Sequence, residues 1–187
     1  MDDVGVSPAA VAKGLIKFNP GYLTTLPGIC KIVEFVLLLL AWALCSGFRN
    51  GYPYVSNLQS YLTYSSGSIG FFLFVTVTLW ILVFIMLIFG LLSLTERLRI
   101  PSKLLVFSIS YGCAAVLLLI SSAIIGGDAA TFPGYWCDAI SKNKFFSTTC
   151  ATYKAAVAFG IFSCVAFIFD SVLHFFNHRN QGPSMPV

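Results

Sequence analysis

The stretch GICKIVEFVLLLLAWALCSGF, residues 28–48, decides the fold class. A hydrocarbon layer about 30 Å thick takes roughly 20 apolar helical residues to cross, and this stretch supplies that length. Lys31 and Glu34 are its only charged side chains. Three further apolar stretches follow, at about 70–92, 104–125 and 155–176, and of these only the last carries an acid, Asp170. Backbone polar groups inside lipid must be satisfied within the segment, which selects helices for such runs. The chain therefore reads as an all-α membrane protein built as a four-transmembrane-helix bundle. A leading segment, residues 1–27, and a tail, residues 177–187, flank a four-helix domain at 28–176.

Composition supports the same reading. The chain is 58% hydrophobic and 10% charged, with mean hydropathy +0.88, whereas a soluble domain carries about 25% charged residues. The net charge of +4 is scattered, so no nucleic-acid surface is expected. No removable leader is expected either: the segment opens on Asp2 and Asp3, not on a basic stretch followed by an apolar run. Thr24-Thr25-Leu26-Pro27 has the composition of a helix start, with a hydroxyl to cap free amides and a proline in the first turn.

Orientation follows from Lys and Arg near the span ends. Lys13, Lys17, Lys31, Arg97, Arg99, Lys103 and Arg179 lie on the side of the termini, against Arg49, Lys142, Lys144 and Lys154 on the other. This bias places both termini in the cytosol. Two loops then face outward, the second holding Cys137 and Cys150. In an oxidising compartment these two are expected to form a disulfide, contributing about 3 kcal/mol in the chain-entropy account; two free thiols are the alternative. Cys30, beside the cytosolic boundary, is a palmitoylation candidate, with simple packing as the alternative.

The intramembrane acids are the most informative polar feature, because a buried charge in lipid is costly and usually faces protein. Glu34 lies about six residues into the first span and Asp170 about six from the end of the last, so both sit about 9 Å deep on the same side. Lys31 precedes Glu34 by three positions and His174 follows Asp170 by four, which puts each pair on one helix face. The expected arrangement is an intramembrane polar cluster of Lys31, Glu34, Asp170 and His174. In it the acids join helices one and four while the cations snorkel outward. A proton or ion relay, and recognition of a partner's membrane helix, are the competing readings.

Small residues mark a second surface. Ala156, Gly160 and Cys164 recur every four positions in the fourth span, and Ser108 with Gly112 does so in the third. Such stripes allow close helix packing in lipid, either within the chain or in a homo-oligomer. The second span has no small residue before Gly90 apart from Gly70 at its start, and is expected to face lipid.

Catalytic signatures are missing from the sequence. It has no Cys-x-x-Cys, no phosphate loop, no His-Glu-x-x-His and no Gly-x-Ser-x-Gly, and its two histidines, His174 and His178, share one helix end. An enzyme, a metal site and a cofactor are not expected.

The layout resembles the MARVEL family, in particular its plasmolipin, myelin-and-lymphocyte protein and chemokine-like-factor branches. The resemblance rests on Lys-Ile-Val-Glu-Phe-Val at 31–36, on Ala41-Trp42, and on the Ala-x-x-Phe-Gly…Phe-x-x-Asp pattern between Ala156 and Asp170. It covers about residues 22–178 and implies a MARVEL-like bundle. It also implies membrane organisation, vesicle trafficking or the escort of other membrane proteins, with membrane lipids, including cholesterol-rich domains, as partners. The implied locations are the plasma membrane, endosomes or secretory vesicles. A small transporter or channel subunit coupled through Glu34 or Asp170, and a junction adhesion component, are the alternatives.

Overall fold

The computed structural model describes residues 18–51, 59–93, 103–131 and 144–180. A short 3-10 helix, Pro20–Thr24, leads into α1, Leu26–Gly51; α2 is Gln59–Leu91, α3 is Lys103–Thr131 and α4 is Lys144–Asn180. Each helix contains a segment long and apolar enough to cross a membrane: Leu26–Gly47, Gly67–Leu91, Leu105–Asp128 and Ala151–Asn177. All regular structure among the described residues is helical. Cys137, the leading segment before Phe18 and the tail after Asn180 lie outside the described residues, as does the side chain of Cys150. The expected disulfide falls among them.

The start of α1 shows how local sequence sets the entry into the bundle. Thr25 Oγ1 accepts the Gly28 N–H at 3.3 Å, satisfying one of the amides that a helix N-terminus leaves free. The Thr25 hydroxyl in turn donates to Tyr22 O at 2.6 Å, which ties the 3-10 turn to the cap. At the other end of α2, Ser93 takes a left-handed backbone, φ 49°, and its N–H closes on Gly90 O at 3.1 Å. That conformation stops the helix.

The four helices run alternately up and down. Four cross-contacts fix this: Asn19 N–H donates to Leu91 O, Lys31 Nζ donates to Asp170 Oδ2, Ser108 meets Ser171, and Tyr153 OH donates to Ile125 O. Each joins the start of one helix to the end of its neighbour. α1 packs on α2 and α4, and α3 packs on the same two. α3 is the most buried of the four spans and α2 the least, so α2 is the most lipid-facing. The α3–α4 pair packs more extensively than α1–α4, because small residues line both of its faces.

The interior has two apolar layers. One, on the side of the termini, gathers Leu38, Val75, Leu79, Leu118 and Phe167. The other gathers Cys45, Phe72, Ile125 and Tyr153. Thr76, Ser121 and Ser163 are also buried, and each hydroxyl donates to a carbonyl of its own helix, Phe72 O, Leu118 O and Phe159 O. Local bonding of this kind lets a hydroxyl sit in a span without an unsatisfied donor. Outward, the bundle shows Phe74, Ile109 and Val165, each more than half exposed. In water that surface would aggregate; in a bilayer it is solvated by lipid tails.

Candidate functional site

Lys31 reaches inward, not toward the membrane surface. The residue is 2% exposed, beside Glu34 at 0% and Asp170 at 1%. Lys31 Nζ donates to Glu34 Oε2 at 2.7 Å and also to Asp170 Oδ2, so one ammonium holds both carboxylates and clasps α1 to α4. The expected snorkelling is therefore wrong for Lys31. Turning it toward water would leave two buried carboxylates without a partner, and that penalty exceeds the gain from hydrating one ammonium. The Lys and Arg bias in orientation correspondingly loses one boundary cation.

An aromatic wall completes the site. The Lys31 ammonium sits 3.6 Å from the centroid of the Tyr111 ring and 5.8 Å from that of Phe167. At those distances the negative ring face attracts the cation, more strongly where water is excluded. The other sequence-identified member, His174, lies at the edge. Its Nε2 is 3.7 Å from Asp170 Oδ1 and its side chain is 17% exposed. The imidazole stacks on Tyr111 with centroids 5.4 Å apart. The structure thus brings Lys31, Glu34, Asp170 and His174 into one cluster, with Tyr111 contributed by α3.

A short strap lies on the same end of the bundle. Asn19 N–H donates to Leu91 O at 2.8 Å, and the Tyr22 ring lies so close over Gly90 that a Cβ there would collide with it. Gly28 likewise permits the Tyr22 carbonyl to approach α1. Tyr22 is within electrostatic reach of Lys31, Glu34 and Asp170, and burial pushes its phenol above the ordinary value, the Lys31 charge working in the opposite sense.

The small-residue stripes face inward. Ser108 Oγ donates to Ser171 O at 2.9 Å and Ser171 Oγ to Ser108 O at 2.7 Å. Gly112 lies opposite Ser171, and a Cβ at Gly160 would sit 2.6 Å from Ser122 Oγ and 2.9 Å from the Phe72 ring. Ala156 is fully buried, and the Cys164 thiol donates to Ala115 O at 3.3 Å. All five residues therefore serve contacts within the chain. Cys30 is half-buried with a free thiol. Among the described residues no group of side chains is arranged to hold a metal ion.

Tyr111, Tyr22 and Ser171 escaped the sequence reading. Tyr111 carried a usable signal: it stands three positions after Ser108, on the same helix face, and is the one tyrosine within its span.

Comparison with known proteins agrees with this architecture. Residues 22–173 match the MARVEL family model, a membrane-associating domain. Plasmolipin of Danio rerio is 35% identical over 127 residues, which cover 67% of this chain and 64% of plasmolipin's own length. No solved structure gives a significant match. The family match runs from within the 3-10 turn through α1, α2 and α3 and well into α4, taking in both Lys31 and Asp170, and the chain belongs to the MARVEL family.

Proposed function

We propose that this is a non-enzymatic four-span protein that organises membrane domains and vesicle trafficking, or escorts partner membrane proteins. The observation carrying the reading is the division of its chemistry: Lys31, Glu34, Asp170 and most span hydroxyls turn inward to fix the bundle, and the largely apolar outer face is left to lipid and other helices. A surface of that kind acts through packing, where van der Waals contact and lipid entropy drive association. The Lys and Arg distribution orients both termini to the cytosol, with plasma membrane, endosomal or secretory vesicles as the compartments. Proximity labelling in polarised cells tests this. Trafficking or junctional membrane proteins should be recovered, and recovery of soluble metabolic enzymes alone would refute it.

A second reading is favoured by the two buried carboxylates, which are a costly feature for a passive scaffold. In it the chain is a small transporter or channel subunit coupled through Glu34 or Asp170. Glu34-dependent, pH-coupled flux in reconstituted liposomes would establish it.

A further inference from the structure

Lys31, Glu34 and Asp170 form a set one positive charge short. A single cation holds two carboxylates, all three side chains are buried, and with all three ionised the site would carry a net negative charge within the membrane spans. Such an uncompensated charge is strongly unfavourable in a low-dielectric interior. The phenols and the thiol around the site cannot become cations, and the one imidazole, His174, lies at the partly exposed edge beside Asp170 with no hydrogen bond to it. The strap contributes Tyr22 and α1 contributes Cys30; α3 contributes the Tyr111 ring. The α2 span, Gly67–Leu91, has no titratable side chain. From α4 comes His174, held at 3.7 Å from Asp170 Oδ1.

The cavity of about 260 Å³ between α2 and α3 is lined by Leu79, Val83, Phe107, Tyr111 and Phe167, among others, and reaches neither carboxylate. The smallest ligand that balances the site is a proton. Its seat follows from the hydrogen bonds. Asp170 has Lys31 on one oxygen and His174 near the other. Glu34 has Lys31 on Oε2, and its buried Oε1, like Asp170 Oδ1, has no hydrogen-bond partner; unlike Oδ1, it has no imidazole within ion-pair distance among the described residues. Glu34 is therefore the less supported anion.

We propose that the clasp binds one proton, seated on Glu34 Oε1, so that the closed bundle is held by a Lys31–Asp170 ion pair and a neutral Glu34 carboxyl. The proton comes from water at the end of the bundle and converts the Glu34 carboxylate to the acid. Glu34 Oε2 continues to accept from Lys31. This site stands apart from the membrane-organising reading and requires no transport.

The chain has two glutamates, Glu34 and Glu96, which makes isotope labelling selective. Full-length protein carrying carboxyl-¹³C glutamate, in lipid nanodiscs at neutral pH, should show the infrared carbonyl band of a protonated carboxylic acid. The band should persist in Glu96→Gln and vanish in Glu34→Gln. Only ionised carboxylate bands at neutral pH would overturn the proposal. A second measurement uses Glu34→Gln as the uncharged mimic. It should keep the wild-type thermal midpoint at neutral pH and lose the fall in midpoint that the wild type shows as pH rises, since a proton bound only in the folded state is released on unfolding. A midpoint lowered as far as that of Lys31→Met would show that Glu34 is required as an anion, and would overturn the proposal.

Discussion

Ser108 and Ser171 bond each other's backbone: each hydroxyl donates to the other residue's carbonyl, at 2.9 and 2.7 Å, across the α3–α4 interface. Neither hydroxyl uses its own helix, so the pair specifies register between two helices. In membrane bundles such interhelical bonds couple by about 0.6 kcal/mol on average. Ser108→Ala and Ser171→Ala, each read by unfolding in bicelles, should each destabilise by about that much. A substitution without cost at both positions would disprove the pairing.

The clasp predicts an asymmetry between its members. Lys31→Met leaves the buried Asp170 carboxylate without its cation and is expected to destabilise by about 3–5 kcal/mol. Glu34→Leu with Asp170→Leu should be milder, because the freed Lys31 can turn its long stem toward the surface. Replacing all three by apolar residues should restore most of the stability lost in Lys31→Met, since packed apolar groups often equal or exceed a buried ionic set. Thermal unfolding in detergent micelles measures all three. A triple variant as unstable as Lys31→Met would show that the residues are not acting as one unit.

Much of this was legible in the chain because lipid imposes two simple rules. Apolar length identified the helices, and rarity made Glu34 and Asp170 conspicuous, since no other acid lies within the four runs. Helical spacing then placed Lys31 and His174 on the right faces. What sequence spacing does not give is which way a flexible side chain turns. Lys31 has the reach to go up to water or in to the carboxylates, and only the arrival of Asp170 from α4 decides between them. Tyr22 was hidden for a related reason. Its docking depends on a glycine in another helix, Gly90, and nothing local to residues 20–24 encodes that contact.

Gly160 is where α4 approaches both α2 and α3, with Ser122 Oγ and the Phe72 ring inside the space a side chain would need. Gly160→Val should therefore force the helices apart at a cost of about 1–3 kcal/mol, the range for overpacking a filled core. Gly127, whose Cβ position is open, provides the control: Gly127→Ala should be neutral or slightly stabilising through helix propensity. Equal effects at the two positions, measured by denaturant unfolding, would contradict the packing shown.

The strap makes the last prediction, in alkaline solution. Burial holds the Tyr22 phenol above its ordinary value, so the docked strap keeps its proton where an undocked one would begin to lose it. By linkage, the contribution of docking is complete below a pH of about 10, where a free tyrosine ionises, and declines as the pH climbs past that point. Protease susceptibility of the segment before α1 should rise over that range in the wild type. Tyr22→Phe, which has no proton to lose, should flatten the profile, and Gly90→Ala, which drives a methyl into the Tyr22 ring, should raise susceptibility already at neutral pH. A strap that is cut equally fast in all three proteins at neutral pH would mean that Tyr22 does not anchor it.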